Sequence, residues 1–363
     1  MKIAILARGL ARTGGVGRLL NGYLSSMPAA APEDEFFVLT DAPLAHAADL
    51  PNVTEVLLKR SSGAIFDHVE VPMAVRHIQP DVFLATKNTI PLGITCPVVC
   101  VFLDLAYFAF SKAYPVVDNL YMRAMFKRSA TRAARLVAIS ESTRDDIGTF
   151  LGKEAHEKTR VVYPGATNCF RVLSSREREE AAARFAHLPR RFILYSGNIS
   201  PRKNISNLVA AVTACPPDVA LVLTGHRTWK GQSANDALAE AGRLREVQIL
   251  GAQEDEDLVA LYNLAAISVY PSLYEGFGFP VLESFACGTP LAASNATSIP
   301  EVTGEAALLF DPTDVSAMSE AVLKLLDDEP LRERLRLRGL ERVKQFTWQK
   351  TALEMLAILR ETA

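Results

Sequence analysis

The sequence is poor in cysteine and has no pattern that would hold a disulfide framework or a zinc ion. Its five cysteines are odd in number and lie singly in or beside apolar runs, without a CxxC pair or a Cys/His cluster at zinc spacing. This distribution favours buried free thiols in a reducing compartment. No spacing of Asp, Glu or His indicates a divalent metal site either, so we expect no metal and no bound cofactor.

Long apolar runs are also lacking. No run approaches the ~18 apolar residues that suggest a membrane-spanning helix. The opening segment Met1–Ala7 is too short for a signal peptide and is ended by Arg8. We interpret it as a first buried strand and expect a cytoplasmic protein.

An excess of charge of one sign is absent as well. The formal net charge is −2, which gives no basic domain for nucleic acid to bind. Hydrophobic residues make up 49% of the chain and charged residues 22%, as is ordinary for a globular enzyme with extended cores. The length of 363 residues exceeds one typical domain and predicts two.

Short apolar runs alternate with helical patterns along the chain, which is typical of parallel βαβ units. The strands predicted before the pattern lapses are Lys2–Ala7, Phe36–Leu39, Val82–Ala85, Val98–Leu103, Leu136–Ile139 and Arg160–Tyr163. Those predicted after it are Arg191–Ser196, Ala220–Leu223, Val247–Leu250, Ile267–Tyr270, Pro290–Ala292 and Ala306–Leu309.

The alternation of strands and helices lapses around Pro164–Pro189 and restarts at Arg191–Ser196. This interruption predicts an α/β chain of two Rossmann-like domains. The first domain is expected to span residues 1–166 and the second residues 167–345. Residues 346–363 form a last helix that either caps the second domain or packs back on the first.

The most informative segment is Tyr270–Pro290, which follows a strand and opens a helix. Pro280 suits the first helical position and Gly288 the stop after the helix. A helix that starts at the carboxyl end of a parallel sheet places its amides where ligands bind, and it favours an anion such as a diphosphate. Glu275 lies on the loop and Glu283 is expected in the first turn. Each carboxylate can accept two hydrogen bonds from a vicinal diol, although both could simply suit the helix dipole.

The segment resembles the signature of family 4 glycosyltransferases, which reads Glu-Gly-Phe-Gly-(Leu/Phe)-Pro-x-x-Glu followed by Ala-x-Gly-x-Pro. Residues Glu275–Glu283 match it, as do Ala286, Gly288 and Pro290. The resemblance implies a GT-B fold, with two Rossmann-like domains whose parallel sheets face a central cleft. It also implies that Glu275 holds donor-sugar hydroxyls and that Glu283 holds the ribose. The members of this donor-binding segment are Glu275, Gly276, Phe277, Gly278, Phe279 and Glu283.

Two further loops extend the resemblance. Ser196–Asn204 is similar to the family's Gly-x-x-x-Pro-Arg-Lys-Asn loop, which implies that Arg202 and Lys203 grip the donor diphosphate. Cations after a strand can neutralise charge that grows on a phosphate leaving group, whereas a solvated pair is the simpler interpretation. Thr13–Arg18 resembles the family's Gly-Gly-(Ile/Val)-Gly-Arg loop and implies a donor contact by the Gly15 amide, where a plain tight turn is the alternative.

One loop departs from the family. Relatives usually have His-Asp-Leu at the end of the fourth predicted strand, with the His near the donor sugar, whereas this chain has Leu103 followed by Asp104. Asp104 is a candidate sugar or acceptor contact and equally a helix cap. The cluster His226, Arg227 and Lys230 follows another strand and either lines a phosphate or is solvated.

The predicted helix 116–134 carries several basic residues beside apolar ones. Such helices lie on anionic membranes, and they also pack with a solvated basic face. A lipid-linked acceptor would favour peripheral contact at the inner face of the membrane.

Together the resemblance implies a retaining, metal-independent glycosyltransferase. It would move a hexose of mannose or glucose type from a GDP- or UDP-linked donor to a glycan or lipid-linked acceptor in polysaccharide or glycolipid assembly. Catalysis would depend on Lys203, Arg202 and Glu275, without nucleic acid as a partner. The alternative is a sugar-nucleotide-binding protein of the same fold with little transfer activity, since Leu103 replaces the family's His. An epimerase or phosphorylase on this fold is a weaker third interpretation.

Overall fold

The computed structural model describes residues 1–10, 14–44, 50–58, 63–226 and 247–363. Thr13, Arg227 and Lys230 therefore lie outside the described residues. The chain forms two compact units, of which unit 1 comprises Met1–Gly165 with Phe346–Ala363 and unit 2 comprises Ala166–Gln345. Each unit is built around one parallel sheet.

The sheet of unit 1 has the strand order β3-β2-β1-β4-β5-β6-β7, with every pairing parallel. Its strands are β1 Lys2–Leu6, β2 Glu35–Thr40, β3 Val53–Leu57, β4 Val82–Ala85, β5 Val98–Phe102, β6 Arg135–Ala138 and β7 Thr159–Val161. The order reverses between β1 and β4, so the loops that leave these two strands diverge and open a crevice at their carboxyl ends.

Helices cover both faces of this sheet. They are α1 Gly15–Ala30, α2 Gly63–Ile65, α3 Val71–Ile78, α4 Ala106–Ala109, α5 Val116–Arg132, α6 Glu141–Leu151 and α7 Lys153–Glu157, with a π-helical turn at Phe66–Glu70 and a 3₁₀ turn at Ser111–Ala113. Alternate strand residues such as Phe83 and Phe102 form one core with Phe126 of α5. Because successive strand side chains point to opposite faces, the intervening residues face α1 and the last helix of the chain.

The sheet of unit 2 has the order β10-β9-β8-β11-β12-β13, again all parallel. Its strands are β8 Arg191–Ser196, β9 Val219–Thr224, β10 Val247–Gly251, β11 Ile267–Tyr270, β12 Leu291–Ser294 and β13 Leu308–Phe310. The order reverses between β8 and β11, which places the second crevice where these two strands end.

The helices of unit 2 also cover two faces. They are α8 Ser175–Arg184, α9 Ile205–Val212, α10 Asp255–Leu264, α11 Phe279–Ala286, α12 Ile299–Thr303, α13 Val315–Asp327 and α14 Glu329–Val343, with a 3₁₀ turn at Pro201–Lys203. Ile193 and Tyr195 of β8 pack into one core, whereas Phe192 and Leu194 pack into the other. The near-continuous apolar strands of the sequence are therefore buried on both sides.

The last helix, α15 Trp348–Thr362, belongs to unit 1. It packs against α1, where the ring of Trp348 meets that of Tyr23 edge-on at 6.1 Å between centroids. Of the two places expected for this helix, the structure shows the one on the first domain.

The predicted α/β architecture of two Rossmann-like domains with parallel sheets is confirmed. One strand of the described residues was missed: β3 reads Val-Thr-Glu-Val-Leu and is an edge strand that stays half-exposed, so it lacks an apolar run. The cysteine prediction was wrong for Cys169, which is exposed, while Cys100 and Cys287 are buried. Among the described residues, no helix has the length and apolarity to cross a bilayer.

Candidate active site

The predicted donor residues of unit 2 gather where β8 and β11 end. The loop after β8 leads into the short 3₁₀ turn Pro201–Lys203, and the loop after β11 carries Glu275. A backbone hydrogen bond from Leu273 N to Arg202 O (2.8 Å) joins the two loops. Arg202, Lys203 and Glu275 therefore lie together where β8 and β11 end.

Asn204 fixes the loop after β8. Its backbone adopts a left-handed conformation (φ 61°), and its buried side-chain amide donates to the carbonyls of Pro271 (3.2 Å) and Pro312 (2.6 Å). The asparagine of the Pro-Arg-Lys-Asn loop is therefore a brace between loops, which holds the two preceding cations in place.

Lys203, Arg202 and Glu275 form a buried ion cluster. The Lys203 ammonium donates to Glu275 Oε1, and Arg202 Nη1 donates to Glu275 Oε2 at 3.0 Å. Lys203 is 7% exposed and Glu275 6% exposed, so this charge pairing takes place away from water. The cluster thus brings two cations and one carboxylate together at the ends of β8 and β11.

Tyr270, the last residue of β11, completes the cluster. Its hydroxyl accepts from Lys203 Nζ (2.9 Å) and donates to Glu275 Oε1 (2.8 Å). Burial, reinforced by the Glu275 carboxylate, raises the pKa of this hydroxyl well above its ordinary value, so it keeps its proton. Tyr270 therefore fixes the separation of the ammonium and the carboxylate as a neutral bridge.

The ionisation state of Glu275 follows from its neighbours. Burial favours the neutral carboxyl, but the charges of Lys203 and Arg202 outweigh it and lower the pKa of Glu275 to about 2. The carboxylate is consequently charged at neutral pH and can accept hydrogen bonds from hydroxyl groups.

The backbone around Glu275 is also held. Thr297 Oγ1 accepts from the Glu275 amide (3.0 Å), and Ser298 Oγ donates to the carbonyls of Glu275 and Phe277 (both 3.0 Å). The loop is buried and braced by the segment that follows β12, so it presents a preformed surface.

Helix α11 starts directly after this loop. Gly278 caps it with φ 105°, a conformation that favours glycine, and Pro280 is the second helical residue. The rings of Phe277 and Phe279 meet edge-on, 5.4 Å apart, and both side chains are buried. This packing sets the direction in which the first helical amides point.

Glu283 is not in the first turn of α11, as the sequence had predicted, because the helix begins at Phe279 and no acidic residue lies in that turn. A role as a charge on the helix N-terminus is therefore excluded for it. Glu283 is 5% exposed, and its Oε2 accepts from the hydroxyl of Tyr262 (3.2 Å). That hydroxyl also reaches the carbonyl of Pro280 (3.4 Å), so it ties Glu283 to the start of its own helix.

The remaining predicted residues lie in unit 1. Gly15 is the first residue of α1, which follows β1 at the crevice of that sheet. Asp104 Oδ1 accepts from the amide of Ala106 (3.0 Å), the first residue of the short helix α4, whose N-cap residue is Leu105. The Leu103 amide donates to Asn88 Oδ1 (2.6 Å), and its side chain is half-buried.

The basic side chains of α5 are largely engaged within unit 1. Arg128 donates to the carbonyl of Ile90, and Arg132 donates to those of Ile94 and Cys96. Arg123 places its guanidinium over the ring of Phe108, 4.7 Å from the centroid. The helix therefore offers fewer free cations than its sequence suggested.

Sequence reasoning missed two tyrosines, Tyr270 and Tyr262, and the braces Thr297 and Ser298. Both tyrosines stand inside apolar patterns, one on a buried strand and one on a helix, and nothing local separates them from core residues. Among the described residues, no group of three or more His, Cys, Asp or Glu side chains could hold a metal ion.

Comparison with known proteins gives consistent matches. The model of the family described as glycosyl transferases group 1 matches residues 177–342. The chain is 32% identical over 262 residues to the O-antigen chain mannosyltransferase B of Escherichia coli. The matched region covers 71% of this chain and 68% of that protein.

Solved structures share the fold over nearly the whole chain. The sucrose-phosphate synthase of Thermosynechococcus elongatus superposes with a TM-score of 0.81 at 21% identity, covering 99% of this chain and 98% of its own. Anabaena Alr3699/HepE, solved in complex with UDP-glucose, gives a TM-score of 0.78 at 17% identity, covering 99% of this chain and 100% of its own. The fold is therefore of the GT-B type.

Proposed function

We propose that this chain, since it belongs to the family of glycosyl transferases group 1, is a retaining, metal-independent hexosyltransferase that uses a nucleoside-diphosphate sugar. The observation that carries the proposal is the buried cluster of Lys203, Arg202 and Glu275 at the crevice of unit 2. It combines preorganised cations for a diphosphate with a charged carboxylate for sugar hydroxyls. The cations and the carboxylate would thus serve the two opposite sides of the bond that breaks.

The cations would serve the leaving group. When the bond between the sugar and the diphosphate breaks, negative charge grows on the phosphate oxygen. Lys203 and Arg202 would stabilise it, aided by the amides at Phe279 and Gly15. The acceptor hydroxyl attacks on the same face, and its proton passes to the departing phosphate. The chain's own cations thus take the part that a divalent ion plays in other transferases.

The carboxylates would hold the donor's two sugars. Glu275 would accept hydrogen bonds from hydroxyls of the transferred hexose, and Glu283 from the ribose diol. The nucleoside would be guanosine or uridine. HepE binds UDP-glucose on the same fold, and the O-antigen enzyme of E. coli is named for mannose transfer, so mannose or glucose is the expected hexose.

The acceptor would be a glycan or a lipid-linked saccharide in polysaccharide or glycolipid assembly, bound by unit 1. Asp104 would be a contact for the acceptor, although its Oδ1 already accepts a hydrogen bond from the Ala106 amide. Leu103 supplies an apolar surface where relatives place His, and we infer a changed sugar or acceptor contact there. Peripheral attachment to the inner face of a membrane would suit a lipid-linked acceptor.

A panel of sugar nucleotides tests the proposal, with thermal stabilisation and turnover measured in excess EDTA. A bound donor at 100 times its dissociation constant should stabilise the protein by about 2.7 kcal/mol. Turnover should persist in EDTA. The Lys203→Ala variant should lose two to three orders of magnitude in kcat, about 3–4 kcal/mol, as the loss of one preorganised donor does.

Two results would reject parts of this proposal. Stabilisation by a donor without hydrolysis or transfer to any acceptor would make the chain the weakly catalytic binding protein. Activity that EDTA abolishes and manganese restores would reject the metal-independent mechanism.

A further inference from the structure

Ser272 is a polar side chain that the fold of unit 2 buries without giving it a partner. It follows β11 by two residues, on the loop that carries Glu275, and its exposed fraction is 0%. Among the described residues, none forms a hydrogen bond with its hydroxyl. A buried hydroxyl of this kind costs stability, because it has given up its hydrogen bonds to water and gained none in return. Its presence therefore points to a partner in another state of the protein.

The backbone on both sides of Ser272 is fixed. The carbonyl of Pro271 accepts from the side-chain amide of Asn204 (3.2 Å), and the amide of Leu273 donates to Arg202 O (2.8 Å). The loop that carries Ser272 is thus tied to the loop that carries the cations. Its hydroxyl keeps one freedom, which is rotation about χ1 among the staggered positions. The hydroxyl can therefore change its partner while both loops stay in place.

The group beside this hydroxyl is the carboxylate of Glu275. Burial raises the pKa of Glu275, the charges of Lys203 and Arg202 lower it, and the nearby Ser272 hydroxyl lowers it further. In this structure the carboxylate is already occupied, because Lys203 and Tyr270 donate to Oε1 and Arg202 donates to Oε2. Two of these three donors are the cations that belong to the proposed diphosphate site.

We propose that Ser272 is a positioning residue whose hydroxyl turns and donates to Glu275 when a nucleoside diphosphate binds. The inference rests on the proposed function, in which Lys203 and Arg202 bind the diphosphate. A diphosphate carries more negative charge than one carboxylate, so it draws both cations toward itself. Glu275 is 6% exposed, so water has little access to replace them. The Ser272 hydroxyl replaces them instead, and it keeps Glu275 charged and oriented toward the sugar hydroxyls.

The hydroxyl of Ser272 consequently contributes differently to the free and the bound protein. In the free protein it makes no hydrogen bond with the described residues, so its removal costs no stability. In the bound protein it donates to a charged group, so its removal weakens binding. A serine that only supports the fold would show the opposite pattern, with a loss of stability and unchanged binding.

The Ser272→Ala variant of the full chain tests the proposal. We expect its melting temperature without ligand to equal that of wild type or to exceed it. Calorimetric titration with GDP and with UDP should show about tenfold weaker binding of the nucleotide that wild type prefers, because a hydrogen bond to a charged group is lost.

Ser268→Ala, on β11, is the matched control. Ser268 is buried as well, but its hydroxyl is paired with that of Ser284 (2.6 Å). Its removal leaves a buried hydroxyl with one partner fewer, so it should lower the melting temperature. It should leave the nucleotide affinity unchanged.

A double-variant cycle shows whether Ser272 acts through Glu275. In a Glu275→Gln background, Ser272→Ala should cause little further loss of nucleotide binding. The inference is overturned by unchanged nucleotide affinity in Ser272→Ala, by a fall in its melting temperature as large as that of Ser268→Ala, or by an undiminished effect in the Glu275→Gln background.

Lys203→Ala reports separately on the proposed function. If this variant binds nucleotide as tightly as wild type, or if wild type binds neither nucleotide, the proposed diphosphate site is wrong and the inference falls with it. If Lys203→Ala weakens binding and Ser272→Ala does not, the inference alone is wrong.

Discussion

At the scale of the residue, each glutamate of the motif is held by the hydroxyl of one tyrosine. Tyr270 donates to Glu275, and Tyr262 donates to Glu283. If Glu275 holds the hexose, its contacts tighten as the bond breaks, whereas ribose contacts by Glu283 are made in the ground and transition states alike. The two hydroxyls should therefore affect different kinetic constants.

We predict that Tyr270→Phe lowers kcat about tenfold with little change in donor affinity, because one hydrogen bond to a charged group is lost. Tyr262→Phe should instead raise the Michaelis constant for the donor about tenfold with kcat nearly unchanged. Steady-state kinetics and calorimetric donor titration measure both, and each variant is the control for the other.

Combining each tyrosine variant with the glutamine variant of its glutamate tests whether the kinetic effect of the tyrosine acts through that glutamate. Tyr270→Phe should cost little more in a Glu275→Gln background, and Tyr262→Phe little more in a Glu283→Gln background. If Tyr262→Phe lowers kcat and Tyr270→Phe weakens donor binding, the roles of the glutamates are reversed. If neither changes kinetics, both tyrosines only pack the core.

At the scale of the element, strong local sequence patterns were sufficient to predict the bounds of strands, whereas weak patterns were not. The predicted bounds of β8 and β11 agree with the structure, because buried strands leave clear apolar patterns. Strand β3 was missed because none of its residues is fully buried. The motif predicted Glu275 and Glu283 as donor-binding residues, but the start of α11 had to be seen before Glu283 could be placed beyond its first turn.

The start of α11 depends on Gly278. A Cβ at this position would meet Tyr270 and Val281 only at ordinary contact distance (3.5 Å), so the cost of Gly278→Ala lies in φ 105° alone. We predict a loss of about 1–2 kcal/mol in the free energy of unfolding together with severalfold weaker donor binding, since the helix would start differently. Denaturant titration and donor calorimetry measure the two effects.

Gly152→Ala is the matched control. Gly152 has a similar φ of 99° with nothing within 4 Å of the added Cβ, and it joins α6 to α7 in unit 1. It should cost similar stability and leave donor binding unchanged. Equal donor affinity in the two variants would mean that the start of α11 does not shape the donor site.

At the scale of the whole molecule, the chain leaves unit 1 after Gly165 and returns to it at Phe346. Both crossings lie beside α15: Thr351 Oγ1 donates to Tyr163 O (2.7 Å), and the rings of Tyr163 and Phe346 meet edge-on. The sequence could not choose between two places for this helix, because an amphipathic pattern shows that a face is buried but not against which partner.

Trp348 fastens α15 to unit 1 by close approach. A Cβ on Gly22 would clash with its ring, and a Cβ on Gly165 would clash with its backbone, so glycine at both positions makes room for it. We predict that Trp348→Ala destabilises unit 1 by about 3 kcal/mol through the cavity it leaves. For a unit of this size that lowers its melting temperature by about 6–12 °C.

Scanning calorimetry with and without nucleoside diphosphate separates the two units in this experiment. Nucleotide should raise the melting temperature of unit 2, which carries the ion cluster, and Trp348→Ala should leave that component and its nucleotide shift in place. Leu353→Ala, on the same helix but 55% exposed, should change neither component. If Trp348→Ala instead lowers the melting temperatures of both units equally, the two units unfold as one cooperative body. In that case α15 does not stabilise unit 1 alone.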